Sequence, residues 1–258
     1  MDYFHKYETN PFSELAWNIP DQKQGSMLVL GGNNQNFRTV IKTAETISNK
    51  FPVKELKIAL PKSLEKTLPP IENLVFLPAT DSGSFANSEE LKALFNLSDF
   101  NLLVGDLSKN TITARAITEA CTSTEKPTLL TRDAVDLITT GSLEPLLMND
   151  QLCYFAPLPS FQKLFRAVYY PKVILLTQPL MQIAEALHKF TLSYPASIIT
   201  LHNGQILIAK NGNVSAVPIE KTAYTPLTLW MGEAASKIAA FNLYNPNQFE
   251  NATVAALF

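Results

Sequence analysis

Three polar segments of this 258-residue chain share one setting. Each follows a short apolar run and precedes a stretch with helical spacing. They are Gly31-Gly32-Asn33-Asn34, Gly105-Asp106-Leu107-Ser108 and Thr131-Arg132-Asp133-Ala134. At such a place a glycine lets the backbone come close to a ligand, and the following helix N-terminus attracts an anion. An aspartate there can serve as a general base. Plainer readings exist for each: a strand-to-helix turn for Gly31–Asn34, and helix caps for Ser108 and Asp133. Gly31, Gly32, Asn33, Gly105, Asp106 and Asp133 are therefore the candidate ligand-binding residues. Asp133 and Asp106 are the candidate catalytic carboxylates.

Other chemistries find little support. The three histidines, His5, His188 and His202, are far apart, and no C-x-x-C or H-E-x-x-H spacing occurs, so no metal site is expected. Neither G-x-x-x-x-G-K-[ST] nor G-x-G-x-x-G is present. No G-x-S-x-G exists to form a hydrolase elbow. Cys121 and Cys153 are too few for a disulfide scaffold and read as buried reduced thiols.

The elements that must position these segments alternate. Apolar runs at Met27–Leu30, Lys57–Leu60, Leu74–Leu77, Asn101–Val104, Thr128–Leu130 and Leu152–Phe155 read as strands. Between and after them, Asn36–Asn49, Asn87–Asn96, Lys109–Ser123, Ala134–Ile138, Phe161–Val168 and Gln178–Leu192 read as helices, the second opening on a capping pattern. Strands that are apolar throughout belong to a parallel sheet covered on both faces. Residues 197–219 break the pattern. Asn203-Gly204 and Asn211-Gly212 are two hairpin signals, because Asn-Gly accepts the positive φ of a type I′ turn. They predict a three-stranded antiparallel meander. Two helices follow, Thr228–Phe241 and Phe249–Leu257. Residues 1–25, rich in aromatics, read as a strap packed on a single domain of residues 26–258, or as a partner-binding arm.

Composition narrows the partners. A formal charge of -2 gives no sign of nucleic acid or acidic lipid. There is no secretory signal pattern and no run near the ~18 apolar residues of a membrane span, so a cytoplasmic location is expected. Only 9 glycines occur, where average usage would give roughly 18. Few phosphate-cradling loops are affordable.

In this order the segments resemble the ribokinase-like fold, and within it the ADP/ATP-dependent NAD(P)H-hydrate dehydratases, over about residues 20–258. Gln24-Gly25-Ser26-Met27-Leu28-Val29-Leu30-Gly31-Gly32-Asn33 is similar to that family's opening strand and its Gly-Gly-Ser. Leu103–Ser108 resembles its Gly-Pro-Gly-Leu-Gly loop with one glycine kept. Leu129–Val135 resembles its Leu-Asp-Ala-Asp-Ala-Leu segment, the second acid surviving as Asp133 and the first replaced by Thr131. Ala156-Pro157-Leu158-Pro159-Ser160 is similar to Thr-Pro-His-Pro-Gly without its histidine. Thr200–Gly204 falls where the family has Leu-Lys-Gly, which adds His202 and Asn203 to the candidate ligand-binding residues. The implied fold is α/β: a mainly parallel sheet with helices on both faces and a C-terminal antiparallel meander at one edge.

The resemblance fails where the family does its chemistry. There a Gly-Gly-[Ser/Thr]-Gly-Asp run opens a helix, its amides holding phosphate and its Asp acting as base. Here the residues are Tyr224-Thr225-Pro226-Leu227-Thr228-Leu229-Trp230-Met231-Gly232, with Thr228 opposite the Asp, and no Gly-x-Gly-Asp occurs anywhere. Pro226 has no N–H to offer. Losing a general base removes about 10²- to 10⁴-fold in rate. The first expectation is a catalytically degenerate member of the fold, still binding a nucleotide or small metabolite in the crevice, as a sensor, scaffold or oligomer partner. The second is an active dehydratase using ADP or ATP with Mg²⁺, with Asp106 or Asp133 supplying the carboxylate. The third is an unrelated Rossmann-like binder, against which the meander counts. A homo-oligomer is a further expectation by analogy.

Overall fold

Among the described residues, alternating apolar runs and amphipathic stretches build one ten-stranded sheet with helices on both faces. The computed structural model describes residues 2–8, 19–219 and 228–257. The strands are β1 (Phe4–Lys6), β2 (Gln24–Gly31), β3 (Val53–Pro61), β4 (Leu74–Leu77), β5 (Phe100–Gly105), β6 (Thr128–Thr131), β7 (Leu152–Phe155), β8 (Ser197–His202), β9 (Gln205–Lys210) and β10 (Asn213–Pro218). The helices are α1 (Arg38–Lys50), α2 (Glu89–Leu97), α3 (Thr111–Ser123), α4 (Asp133–Ile138), α5 (Glu144–Leu147), α6 (Leu158–Ala167), α7 (Leu180–Ser193), α8 (Glu233–Tyr244) and α9 (Phe249–Leu257).

The strand order is β1-β10-β9-β8-β7-β6-β5-β2-β3-β4. From β8 through β4 every pairing is parallel. The chain runs outward from β2 through β3 and β4, then returns to place β5 on the other side of β2. The β2–β5 junction is thus the point where strand order reverses, and the carboxyl ends of such strands frame a crevice.

Alternation along each strand sorts the core into two layers. Leu28, Leu30, Leu103, Leu130, Tyr154 and Ile198 face α2 to α7. Met27, Val29, Leu102, Val104, Phe155 and Ile199 face α1, α8 and α9. Each such fully buried large side chain contributes about 1.5–3 kcal/mol by leaving water. Cys121 and Cys153 are buried and unpaired. Burial pushes the Cys121 thiol up to about 12 and the Cys153 thiol higher still, so both stay protonated.

The meander forms as the two Asn-Gly signals predict. Both turns carry positive φ at both central residues: 48° and 72° at Asn203 and Gly204, 49° and 80° at Asn211 and Gly212. Beyond it, β1 pairs in parallel with β10, and the Tyr3 ring stacks on His188 with centroids 3.9 Å apart. Phe12 and Trp17 lie outside the described residues.

Three local readings need correction. The helix expected over Thr228–Phe241 is a 3₁₀ turn at Thr228–Trp230 followed by α8, because Gly232 takes φ 96° and interrupts it. Ser108 does not cap α3. Asn110 does, its side-chain oxygen accepting the Thr113 N–H at 2.8 Å, while the Ser108 hydroxyl donates to the Ser82 carbonyl. The capping pattern before α2 acts through Ser88, which accepts the Leu91 N–H at 3.1 Å. Asn87 instead donates to Glu119.

Candidate functional site

At the β2–β5 junction two strand ends nearly touch. The Gly32 N–H donates to the Gly105 carbonyl at 2.8 Å. A Cβ on Gly31 would lie 2.6 Å from that carbonyl oxygen, inside any real contact distance. Asn33 then closes the loop. Its side-chain amide donates to the Asp106 carbonyl at 2.6 Å, and its oxygen accepts the Gln35 and Asn36 N–H groups. Asn33 is buried, and its hydrogen-bonding capacity goes to the loop itself.

β5 and β6 are neighbours, so their ends bring Asp106, Arg132 and Asp133 together. Asp106 and Arg132 both sit in the left-handed region, with φ of 58° and 55°. A non-glycine residue there costs roughly 1–2 kcal/mol. The Arg132 guanidinium spans both carboxylate oxygens of Asp106, at 2.7 and 3.4 Å. Asp133 is neither the cap of α4 nor a free crevice carboxylate. It is the first helical residue, and its Oδ1 accepts the Asp106 N–H at 2.9 Å. Desolvation raises the Asp133 pKa, against the opposing pull of the Asp106 N–H and Arg132.

Gly31, Gly32, Asn33, Gly105, Asp106 and Asp133 therefore meet at one junction. His202 and Asn203 do not join them. They stand at the end of β8, three strands from β5, about 14 Å away at ordinary strand spacing. His202 is buried and its Nε2–H donates to the Gln178 carbonyl at 2.8 Å, so its ring ties the turn to the α6–α7 connection. Asn203 is an exposed turn residue. Thr228 opens the 3₁₀ turn whose Trp230 packs on Phe155, ring centroids 4.7 Å apart. The Thr228 side chain and residues 220–227 lie outside the described residues.

Arg132 is the member that sequence reasoning passed over. Its signal was present: a permanent cation between a strand end and an acid. What it pairs with depends on β5 and β6 being adjacent. Beside the junction, a cavity of about 250 Å³ is lined by Lys109, Asn110, Thr111, Asp136, Thr140 and Lys163. That is below the roughly 300–1,000 Å³ usual for small-molecule sites. Among the described residues, no three His, Cys, Asp or Glu side chains gather closely enough to share a metal ion.

No family model matches the chain. No curated protein matches it significantly either. Solved structures do. A ribokinase-like superfamily protein from Enterococcus faecalis V583 is 14% identical, with TM-score 0.68, covering 100% of this chain and 85% of that one. An ADP/ATP-dependent NAD(P)H-hydrate dehydratase from Bacillus subtilis, co-crystallised with ATP/Mg²⁺ and soaked with CoA, is 14% identical, with TM-score 0.64, over 98% and 86% of the two chains. A ribokinase from Thermotoga maritima is 14% identical, with TM-score 0.54, over 92% and 88%. Among the described residues, no helix is long and apolar enough to cross a membrane. The switch-point crevice, the two-layered parallel sheet and the antiparallel meander together are the ribokinase-like fold.

Proposed function

We propose that this chain uses the ribokinase-like scaffold to bind a nucleotide or small metabolite, and that it has lost phosphoryl transfer. One observation carries the reading: the carboxylates at the described crevice are already committed. Asp106 is paired with Arg132, and Asp133 accepts the Asp106 N–H. A role as base or cation ligand for either would have to compete with these bonds. A resident Mg²⁺ is usually held through one or two carboxylates, so here it would have to draw Asp106 or Asp133 from its present partner. The sequence adds that Thr228 stands where the resembling family has its base, with no Gly-x-Gly-Asp to hold phosphate. A threonine hydroxyl is too weak a base near neutral pH.

A second reading rests on Asp133. Burial raises its proton affinity, as in many catalytic acids and bases. If it were released from the Asp106 N–H, it would be the base of an active NAD(P)H-hydrate dehydratase using ADP or ATP.

The two readings separate in one assay. The protein is incubated with hydrated NADH, Mg²⁺ and ADP or ATP, and recovery of NADH absorbance is followed. No turnover is expected. Turnover that disappears in Asp133→Asn overturns the degenerate reading. Binding is tested by thermal shift. A ligand at a hundred times its Kd stabilises by about 2.7 kcal/mol. For a chain of this size that is several degrees. No shift with any nucleotide would leave a scaffold without a ligand.

A further inference from the structure

The two Asn-Gly turns of the meander share a sequence and a backbone, with φ of 48° and 72° at Asn203 and Gly204 and of 49° and 80° at Asn211 and Gly212. Their surroundings differ. Asn203 and Gly204 are both exposed, and a Cβ on Gly204 would meet nothing within 4 Å. Among the described residues nothing accepts the Gly204 N–H, and the Asn203 side-chain amide has no hydrogen-bond partner. The Gly204 carbonyl does accept the Ile219 N–H at 3.0 Å, but it belongs to the next peptide. Asn211 is exposed too, whereas Gly212 is buried against α7. The Gly212 N–H donates to the buried Thr191 hydroxyl at 3.0 Å, and its carbonyl meets His188 Nδ1. A Cβ there would lie 2.6 Å from the Leu192 side chain.

Asparagine followed by glycine carries a latent reaction. The glycine nitrogen, once hydroxide has drawn off its proton, attacks the asparagine Cγ. An N–Cγ bond forms, the Cγ–Nδ2 bond breaks, and ammonia leaves with a proton from solvent. Water then opens the resulting succinimide at either carbonyl. Opening at Cγ gives aspartate. Opening at the backbone carbonyl gives isoaspartate, whose main chain runs through Cβ and Cγ and is one atom longer. Over both steps one water is consumed and one ammonia released, and nothing is oxidised. Glycine permits the attack because no Cβ obstructs the approach.

The reaction therefore needs a reachable N–H, an unencumbered side-chain amide and a peptide that can rotate. The first turn offers all three. At the second, the N–H sits in a buried hydrogen bond, out of reach of hydroxide. Rotating that peptide would leave a buried donor and acceptor unpaired, which slows the reaction by about tenfold or more.

We propose that Asn203 is a site of spontaneous deamidation, turning the β8–β9 turn into aspartate and isoaspartate, while Asn211 in the same dipeptide is protected by Thr191. The products add a negative charge at the carboxyl ends of the parallel strands. The isoaspartate form also lengthens a two-residue turn whose span is fixed by the pairing of His202 with Gln205.

The folded chain is held in warm, mildly alkaline buffer, sampled over weeks and cleaved with trypsin. Cuts after Lys189, Lys210 and Lys221 put Asn203 and Asn211 on separate peptides. Mass spectrometry follows the exchange of –NH₂ for –OH on each, fragmentation assigns the residue, and enzymatic carboxyl methylation counts isoaspartate. Asn203 is expected to convert while Asn211 lags about tenfold or more, and in urea the two should convert at similar rates. Thr191→Val should bring Asn211 up toward Asn203 and leave Asn203 unchanged. Thr191→Ser, which keeps the hydroxyl, should keep Asn211 protected. Equal rates in the folded wild type overturn the proposal, and so does an Asn203 that converts only in urea. A folded Thr191→Val chain whose Asn211 stays protected overturns the role of Thr191. The wild-type ratio decides the matter even where Thr191→Val unfolds.

Discussion

At the end of β2, Gly31 leaves no room for a side chain, since a Cβ there would lie 2.6 Å from the Gly105 carbonyl oxygen. At the β8–β9 turn, a Cβ on Gly204 would meet nothing within 4 Å, yet φ is 72°. The two glycines stand at the same edge of the sheet and answer different demands. Gly204 is required by its own backbone, and the Asn-Gly pair announces it. Gly31 is required by a strand 74 residues further along, brought alongside by the crossover that makes the crevice. In a chain with 9 glycines, the crevice keeps the ones its backbone crossing needs, while residues 224–232, set against the family's Gly-Gly-[Ser/Thr]-Gly-Asp run, hold only Gly232.

The sharpest way to break this comparison is to add the missing methyl. Gly31→Ala pushes against backbone in the middle of a sheet, which cannot yield, so it should cost about 3 kcal/mol by overpacking. In a chain of this length that lowers Tm by roughly 6–12 °C in a thermal melt. Gly204→Ala has open space and only a left-handed backbone to tolerate, so it should cost about 1 kcal/mol. If the two variants melt together, close approach at the crevice is not what Gly31 serves.

A subtler test uses pH at the same junction. The Asp133 pKa is raised in the fold. Between the ordinary aspartate pKa and that raised value, the folded protein holds a proton the unfolded chain has released. Stability therefore falls as pH rises through that window. Asp133→Asn can still accept the Asp106 N–H but cannot titrate. Its urea midpoint should lack this decline, so the variant gains on wild type as pH climbs from the acid range. Equal slopes would mean that Asp133 is not buried as described.

The smallest effect belongs to the surface. Glu185 is held at about 2 by Lys172 and Lys189. Because that pKa is depressed, its contribution is present above the ordinary glutamate range and fades as pH falls toward 2. The pair is exposed, so Glu185→Gln should barely change Tm at pH 7. Hydrogen exchange at residues 172–178 should quicken, because Lys172 then no longer pins the connection. Unchanged exchange would show that Gln162 and His202 hold it without help.

Much of the architecture was legible because its signals are local. Leu74–Leu77 and Leu152–Phe155 read as strands to the residue, since unbroken apolar runs ended by proline or alanine-proline have few alternatives. The meander was legible for the same reason. The Thr228–Phe241 helix was misjudged because apolar spacing continues across Gly232, and only the backbone shows the interruption. At the site, the sequence named Asp106 and Asp133 but not their commitments. It offered Asp106 as a crevice carboxylate and Asp133 as a helix cap or a crevice carboxylate, whereas an arginine one strand over pairs with the first and the first one's own N–H bonds the second.

By itself, then, the sequence determined the alternation of strands and helices, the two tight turns and the absence of a Gly-x-Gly-Asp run, each a property of neighbouring residues. Tertiary structure decided the rest. It set β5 beside β2 and β6, which closes the Asp106–Arg132 pair, and it laid β1 along β10. It also turned Val173, Leu175 and Leu176 outward while burying Ile174 among them. The physical reason is separation: partners tens of residues apart are chosen by how the sheet is ordered, and no local spacing records that order.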